Sequence, residues 1–417
     1  MNPRALPSAK QLAFQNLEFG LFLHFGLRTF YPGHRDFDGQ AMSPQKFDPT
    51  ALDCDQWVRV AAESGVRYMV LTAKHHDGFA NWPSKFTEFS VASSPWKNGG
   101  GDVIREFTDA CARHGMKAGL YYSPVDGASP VYADSAAYDQ FFIDQISELM
   151  GNYGEISVVW FDSCGSGDHQ YDWPRIIRAV RELQPNILIF HMSDEPDYRW
   201  VGNEDGFAPA PCFNTATELP ANEAQPARAL PAPKWLPFEC DCRMRETNWF
   251  YEDDDEHTIK SLDELLGLYY LSVGRGCNLL INIGPNPQGL LPAKDAARLQ
   301  ELGSEIERRF GQPLSTLADC EASENVWTWR PDEPTLIDHA IIEEEIALGE
   351  SVKSFRLEIG SAHQKMPITV YEGHTIGHKA ICRFPAVRTR EVRLVVTESD
   401  GEVRLRALNF YSVAAKA

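Results

Sequence analysis

The sequence alternates between helix-like and strand-like segments from residue 57 onward, and this alternation constrains the fold more than any other feature. Gln56–Gly65 has apolar residues at helical spacing and ends in glycine, and the apolar segment Val66–Thr72 follows it. Asp102–His114 repeats the helical pattern behind an aspartate cap, and Lys117–Ser123 then runs as a strand. Strands separated by helices pair in parallel, so the pattern predicts βα units around a parallel sheet.

Three more helix and strand pairs continue this pattern to residue 284. In each pair a helix comes first, and turn residues separate it from the strand. We therefore predict a TIM-like (β/α) barrel, regular or irregular, over residues 1–312. The pairs are Tyr138–Tyr153 with Ile156–Asp162, Trp173–Leu183 with Asn186–His191, and Leu262–Val273 with Asn278–Gly284.

The pattern changes after Phe310–Pro313. Short runs of alternating apolar and polar residues replace the helical segments, and such runs are typical of antiparallel strands. With 417 residues the chain is long enough for a second domain, so we predict a C-terminal antiparallel β-sandwich over residues 313–417. Its strands are expected at Leu336–Ile342, Val352–Ile359, Pro367–Tyr371, Val392–Val396 and Val403–Leu408.

One segment of the predicted barrel has no clear periodicity. Ala208–Pro237 is rich in proline and alanine. Segments of this length without secondary structure are uncommon, and many of them cover binding sites. We expect a long loop that forms a lid or rim over the mouth of a pocket.

Charge and cysteine content exclude several classes of partner. The formal net charge of -20 would repel nucleic acid and anionic membranes, and no apolar run has the roughly 20 residues of a membrane helix. A neutral substrate fits this charge better. The N-terminus has no signal-peptide pattern, and the nine cysteines are scattered without a C-x-x-C pair. We expect reduced thiols and a cytoplasmic location.

Two carboxylates stand in positions that suit glycosidic cleavage. Retaining hydrolysis needs one carboxylate to attack the anomeric carbon and another to protonate the leaving oxygen. Asp162 ends a predicted strand, and Glu204 lies on the next connection, close to Arg199 and Trp200. An arginine can hold a carboxylate ionised and an indole can stack on a sugar. The structural alternatives are a helix cap or turn for Asp162 and a solvated loop for Glu204.

His75 and His76 lie at a strand end, at the same edge of the predicted sheet as Asp162. His75 and His76 are adjacent, and neighbouring strand residues point to opposite faces, which disfavours a shared metal ion. Neutral imidazoles can both donate and accept, so hydrogen bonds to sugar hydroxyl groups are the favoured role. Asp77 would complete the rival metal site. His24 lies inside the apolar segment Phe22–Gly26, and its alternative role is a buried core histidine.

The chain resembles the α-L-fucosidases of glycoside hydrolase family 29 over nearly its whole length. The motifs that carry this resemblance are ordered and specific, and three further motifs resemble the subfamily that prefers α-1,3 or α-1,4 fucose on branched glycans. The family motifs are Phe19–Gly26, Thr72–Phe79, Trp160–Asp162 and Asn278–Pro285, and the subfamily motifs are Arg199–Glu204, Trp249–Tyr251 and Thr375–Lys379.

The resemblance implies a barrel followed by a β-sandwich and a retaining, exo-acting enzyme that needs no cofactor. It implies that Asp162 is the nucleophile and Glu204 the general acid/base, and that a fucosylated oligosaccharide is the substrate. A fucose-binding, lectin-like protein without catalysis is the alternative. The residues expected to contact fucose are His24, His75, His76, Tyr121, Trp160, Arg199 and Trp249, with Tyr122 competing for the place of Tyr121.

The sequence departs from the family at three places. Relatives carry a Glu-Trp-Gly segment that lines the pocket, whereas this chain has Gly33–Gly39 without that Glu or Trp. We expect a homo-oligomer in which a loop of a neighbouring subunit completes the missing wall. Ser123–Asp126 lacks the tryptophan of relatives, and Ser163 replaces a glycine after the predicted nucleophile. Both changes are expected near the subsites beyond fucose.

Overall fold

The computed structural model describes residues 5–162, 164–190, 195–219, 226–361 and 364–414. Ten strands of the described residues precede residue 283. They are β1 (Phe19–Leu23), β2 (Tyr68–Lys74), β3 (Lys117–Tyr122), β4 (Val158–Phe161), β5 (Leu188–Ile189), β6 (Arg199–Trp200), β7 (Thr215–Leu219), β8 (Arg228–Trp235), β9 (Phe238–Arg243) and β10 (Asn278–Asn282).

Eight of these strands form one parallel sheet that curls into a barrel. Neighbouring strands follow the order β5-β4-β3-β2-β1-β10-β9-β6. Strands β1, β2 and β10 are buried along their whole length, as expected where helices cover one face and side chains fill the other. Asp197 links the two edge strands, because its N–H donates to Ile189 O and its carboxylate accepts from the Ile189 N–H, both at 2.9 Å.

Within the described residues, seven α-helices accompany the barrel strands. The helices are α1 (Ala9–Gln15), α2 (Cys54–Glu63), α3 (Val103–His114), α4 (Ser135–Asn152), α5 (Trp173–Leu183), α6 (Leu262–Leu271) and α7 (Ala293–Phe310). Helices α2 to α5 each begin behind an aspartate whose side chain accepts a backbone N–H of the first turn, namely Asp53, Asp102, Asp134 and Asp172. Such caps satisfy donors that have no partner inside the helix.

Helix α1 covers the N-terminal end of the barrel. The Phe14 ring contacts Tyr68 and Tyr198, which stand at the starts of β2 and β6, with centroid distances of 5.6 and 4.6 Å. Asn278, the first residue of β10, donates to Phe14 O at 2.9 Å. The opposite end, where the strands finish, is left for a site, as in other barrels of this class.

The predicted lid over Ala208–Pro237 is wrong for the residues that the structure describes. Strands β7 and β8 form an antiparallel hairpin, whose proline-containing strand is tolerated because the hairpin has only two strands. Trp235 Nε1 donates to Gln15 of α1 at 3.0 Å, and Asn214 N donates to Glu350 of the C-terminal region at 3.2 Å. The base of the hairpin therefore lies at the α1 end, away from the strand ends. Residues 220–225 lie outside the described part.

The C-terminal region is a β-sandwich, and with it the predicted fold class is confirmed. Its two antiparallel sheets pack over a core in which Trp329 and Phe410 stack at 5.5 Å. The strands are β11 (Glu321–Ser323), β12 (Val326–Trp329), β13 (Thr335–Glu344), β14 (Val352–Ser361), β15 (Gln364–Gly373), β16 (Ala380–Thr389), β17 (Glu391–Ser399) and β18 (Leu405–Tyr411), in the orders β11-β12-β17-β14-β15 and β16-β13-β18.

Ionic and aromatic contacts join the sandwich to the barrel. Glu18, next to β1, accepts from His378 at 2.9 Å and from Lys379 at 2.7 Å. Tyr270 of α6 bonds His339 of β13 at 2.8 Å. The motif Thr375–Lys379 thus serves the contact between the two regions. Among the described residues, no helix combines the length and apolar character needed to cross a membrane.

Candidate active site

A pocket of about 200 Å³ opens at the C-terminal ends of the barrel strands. Its walls come from the ends of β1, β2, β3, β4, β6 and β9 and from the connections that follow them, where barrel folds place their chemistry. It contains every residue predicted from sequence except Arg199. The lining residues are Phe22, His24, Asp36, His75, His76, Tyr121, Trp160, Asp162, Cys164, Trp200, Glu204, Asp241 and Trp249.

Asp162 is held firmly in this pocket. It follows the last residue of β4, and its Oδ2 accepts from Tyr121 OH at 2.9 Å. Its Oδ1 accepts from the backbone N–H of Cys164 at 2.9 Å. Tyr122 points elsewhere and donates to Gln145 at 2.8 Å, so Tyr121 is the tyrosine of the pocket. Two donors thus fix the orientation of the Asp162 carboxylate. Ser163 lies outside the described residues.

His76 lies beside Asp162 with its ring orientation fixed by Ser123. Ser123 donates its hydroxyl hydrogen to Val125 O at 2.9 Å, so its oxygen accepts from His76 Nδ1 at 2.6 Å. His76 Nε2 therefore faces Asp162 Oδ2, at 3.6 Å. That distance is too long for a direct hydrogen bond, and it leaves room for a substrate hydroxyl group to interact with both atoms.

His24 is a neutral hydrogen-bond acceptor toward the pocket. Asn282 donates its amide N–H to Trp249 O at 2.7 Å, which turns its Oδ1 toward His24 Nδ1, also at 2.7 Å. The proton is thereby assigned to Nδ1, and Nε2 keeps its lone pair. Burial lowers the pKa of His24 to about 3. The imidazole therefore stays uncharged at neutral pH and can accept from a hydroxyl group.

His75 has a buried ring nitrogen without a hydrogen-bond partner among the described residues, namely Nδ1. Its ring stacks on Tyr121 with a centroid distance of 5.4 Å. Asp36 Oδ1 lies 3.5 Å from His75 Nδ1 and is paired with Arg28. Burial lowers the pKa of His75 well below its usual range, so this side chain is also neutral.

One residue of the segment Gly33–Gly39, where the sequence departs from relatives, lines the pocket from within the chain. Asp36 lines the pocket, and the Phe37 ring stacks on His76 with a centroid distance of 5.4 Å. The same ring covers Gly165, where a Cβ would come within 2.1 Å of it. Asp36 was missed in the sequence because its role depends on this long-range packing.

Glu204 lies across the pocket in a looser environment. Its side chain is 48% exposed, and Arg243 approaches its Oε2 at 3.7 Å. Partial burial raises the pKa of Glu204, Arg243 opposes that shift, and the negative charge of Asp162 adds to it. Asp162 follows β4 and Glu204 follows β6, with β5 between them. The prediction that the two carboxylates lie on consecutive strand-to-helix connections is therefore wrong. The two-residue β6 was too short to be recognised in the sequence.

Arg199 does not reach the pocket, contrary to the sequence-based expectation. Its guanidinium donates to Phe213 O at 2.6 Å and to Leu236 O at 3.1 Å, and it covers the Phe238 ring. Neighbouring strand residues point to opposite faces, so Trp200 turns inward and Arg199 turns outward. Arg243, which was not recognised in the sequence, is the guanidinium that approaches Glu204.

Comparison with known proteins agrees with this geometry. The family profile described as alpha-L-fucosidase matches residues 28–309. The Arabidopsis thaliana alpha-L-fucosidase 1 is 33% identical over 97% of this chain and 87% of its own length. The chain belongs to the alpha-L-fucosidase family.

Solved structures of the family have the same fold as this fucosidase. A glycoside hydrolase family 29 member from an unknown rumen bacterium is 33% identical, with a TM-score of 0.89 over 99% of this chain and 78% of that one. A Ruminococcus gnavus family 29 fucosidase in complex with fucose is 25% identical, with a TM-score of 0.86 over 99% and 96% of the two chains.

The inner face of β9 carries charged residues that the sequence analysis did not recognise. Glu239, Asp241 and Arg243 alternate along this strand, and the first two are almost fully buried. Charges at every second position of an otherwise apolar strand are a detectable signal for a functional barrel face. Strand β9 was not predicted because it directly follows the proline-rich segment Ala208–Pro237, which was predicted as a loop.

Two of these residues hold tryptophans of the fucosidase pocket. Trp160 Nε1 donates to Glu239 Oε2 at 2.7 Å, and Trp200 Nε1 donates to Asp241 Oδ1 at 2.6 Å. Burial raises the pKa of Glu239 to about 7. Strand β9 thus orients two aromatic walls of the pocket. Within the described part of the chain, no group of three or more His, Cys, Asp or Glu side chains could hold a metal ion.

Proposed function

We propose that this glycoside hydrolase is a retaining, exo-acting α-L-fucosidase with Asp162 as nucleophile and Glu204 as general acid/base. The observation that carries the proposal is the placement of both carboxylates in one small pocket. Asp162 is held by Tyr121 and by a backbone N–H, whereas Glu204 is half-exposed with a raised pKa. A fixed nucleophile and a carboxyl group whose pKa is raised suit the first step, in which one attacks and the other donates a proton.

In the first step, the Asp162 carboxylate attacks the anomeric carbon and the bond from that carbon to the leaving oxygen breaks. The proton of Glu204 passes to the leaving oxygen, so the alcohol departs neutral. In the second step, the Glu204 carboxylate takes a proton from water, which attacks the same carbon. The ester bond to Asp162 then breaks, and fucose leaves with its configuration retained.

The other pocket residues would bind the hydroxyl groups and the ring of fucose. His24 offers an acceptor, and His75 and His76 bring ring nitrogens close to Asp36 and Asp162. Hydroxyl groups both donate and accept, so they can bond these ring nitrogens in either role. A cavity of this size, closed below by barrel side chains, has room for one sugar ring. This supports action on terminal fucose. The stacking walls would be Tyr121, Trp160 and Trp249.

Azide rescue tests both roles in one experiment. With Asp162→Ala, azide would attack the anomeric carbon directly and give β-L-fucosyl azide. With Glu204→Ala, azide would attack the fucosyl-enzyme and give α-L-fucosyl azide. The same azide anomer from both variants, or no azide product from either, would overturn the assignment. Fucose binding by the wild type without any turnover would favour the lectin-like alternative.

For the substrate, we propose α-1,3- or α-1,4-linked fucose on branched glycans. The motifs Arg199–Glu204 and Trp249–Tyr251 support this proposal, because they contribute Trp200, Glu204 and Trp249 to the pocket. A Lewis-type trisaccharide and 2'-fucosyllactose should be assayed in parallel. Release from the trisaccharide alone is expected, and equal release from both would contradict the preference.

The homo-oligomer and the cytoplasmic location stay predictions. Asp36 lines the pocket from within the chain, and the neighbouring Phe37 ring stacks on His76, so the chain itself supplies part of that wall. Sedimentation across assay concentrations, with activity measured at each, would decide whether association and activity change together. The nine cysteines are free thiols, in keeping with a reducing compartment, and cell fractionation would test the location.

A further inference from the structure

We propose that Asp241 is a further substrate-binding residue, whose carboxyl group binds a hydroxyl group of fucose on the Glu204 side of the pocket. The inference rests on the proposed function, since it assigns a residue to the same sugar site. Asp241 lies on the inner face of β9 and lines the pocket together with Trp200 and Glu204. Only 3% of the residue is exposed, so this carboxyl group faces the cavity rather than bulk solvent.

The position of Asp241 is fixed by its neighbours. Strands β6 and β9 pair in parallel, with Trp200 opposite Glu239. The Trp200 indole donates to Asp241 Oδ1 at 2.6 Å. An isolated bridge between Asp205 and Cys242 adds a second link between β9 and the Glu204 connection. The carboxyl group is therefore held on one oxygen by a rigid aromatic side chain, and its other oxygen has capacity for a ligand.

The chemistry of a buried carboxyl group suits a sugar hydroxyl. Burial raises the pKa of Asp241 well above its usual range, and the charges of Glu204 and Glu239 add to this effect. The uncharged carboxyl group both donates and accepts hydrogen bonds, as a hydroxyl group does. Around the cavity it complements His24, which offers an acceptor only. The two residues together would distinguish hydroxyl positions on the fucose ring.

Deoxygenated substrates separate this role from a merely structural one. We would measure kcat/KM of the wild type, Asp241→Leu and Asp241→Asn on aryl α-L-fucoside and on its 2-, 3- and 4-deoxy analogues. Asp241→Leu removes both hydrogen bonds and should lower kcat/KM on the parent substrate about 10- to 100-fold. On one deoxy analogue that penalty should shrink to the part caused by losing the Trp200 bond, because the partner hydroxyl is already absent. Asp241→Asn keeps an acceptor for Trp200 and a donor for the sugar, and should stay within about threefold of wild type.

Glu148→Leu is the matched control for loss of a carboxylate that holds an indole. Glu148 accepts from Trp82 Nε1 at 2.9 Å outside the pocket, so this variant should lower Tm and show no preference among the deoxy substrates. An equal penalty for Asp241→Leu on every substrate, or no penalty at all, would overturn the proposal. If Asp241→Leu fails to fold, Asp241→Ala takes its place with the same expectation, and an equal penalty on every substrate, or no penalty at all, would overturn the proposal.

Binding separates failure of this inference from failure of the proposed function. If the wild type binds fucose but hydrolyses none of the substrates, the catalytic proposal fails. Titration calorimetry with fucose and its deoxy analogues then compares the wild type with Asp241→Leu by their dissociation constants for each sugar. Selective reduction of the penalty with one analogue supports Asp241 as a ligand of the sugar, and a uniform penalty contradicts it.

Discussion

The two sides of the pocket hold their carboxylates in opposite ways. Asp162 accepts hydrogen bonds on both oxygens, at 2.9 Å each. Glu204 is half-exposed and has Arg243 at 3.7 Å. A nucleophile must meet the anomeric carbon in one geometry, so a fixed carboxylate suits it. An acid/base must gain and lose a proton in each cycle, and contact with solvent allows that exchange.

Asp162→Ala should lower activity more than any other variant. A small loss would contradict the contrast between the two sides of the pocket. The fixed side of the pocket would lose its only proposed nucleophile, so kcat should fall about 10⁴-fold or more on every substrate. Asp168→Ala, an exposed aspartate of the same connection, is the control and should keep wild-type activity. Initial rates on aryl α-L-fucoside give the measurement, and a loss below about 100-fold would contradict the role of Asp162.

Glu204→Ala should have an effect that depends on the leaving group. Natural glycan linkages need protonation of the leaving oxygen, so their turnover should fall about 10²- to 10⁴-fold. A 2,4-dinitrophenyl fucoside leaves without a proton, and its release of fucose should fall far less. Asp205→Ala, the exposed neighbour, is the control. Equal losses on both substrates would show that Glu204 does not act as the acid.

Tyr121→Phe sharpens the description of the fixed side. The substitution removes only the hydroxyl group that donates to Asp162. We therefore expect kcat to fall about 10- to 100-fold, the effect of losing one hydrogen bond to a charged group. Tyr122→Phe is the matched control, because its hydroxyl group bonds Gln145 outside the pocket. Equal losses of kcat in both variants, measured at saturating aryl fucoside, would refute a specific role for Tyr121.

Arg243→Met tests the looser side with the smallest expected effect. The cation lowers the pKa of Glu204, so its removal should raise that pKa and favour the protonated acid. Activity is lost as pH rises through the pKa of the acid, hence the alkaline limb of kcat/KM should move to higher pH. We expect a shift of about half a unit to one unit. Arg178→Met, on the exposed face of α5, is the control for the change in net charge. If the alkaline limb of kcat/KM stays in place or moves to lower pH in Arg243→Met, the assignment of Glu204 as the acid is contradicted.

Sequence reasoning succeeded on the side of Asp162. Strands β2, β3 and β4 have strong apolar patterns with clear turn residues, so their ends, and with them His75, Tyr121 and Asp162, could be placed together. Local periodicity is enough there because each strand is followed by a capped helix. Parallel pairing then brings the strand ends to the same edge of the barrel.

The side of Glu204 depends on contacts that a local pattern does not contain. Strand β6 has two residues, and the pairing of β6 with β9 crosses the proline-rich hairpin. Glu204 itself could be found from its motif, but Arg243 and Asp241 needed the register of β9. Arg199 was misplaced for the same reason, since the face of a two-residue strand is decided by its partner.

The stereochemistry of the first product tests the central proposal most directly. Proton NMR of the wild-type reaction with aryl α-L-fucoside, recorded before mutarotation, identifies the anomer that the enzyme releases. The double displacement through Asp162 and Glu204 predicts α-L-fucose as the first product. Initial release of β-L-fucose would mean a single displacement by water, and it would contradict the assignment of Asp162 as nucleophile.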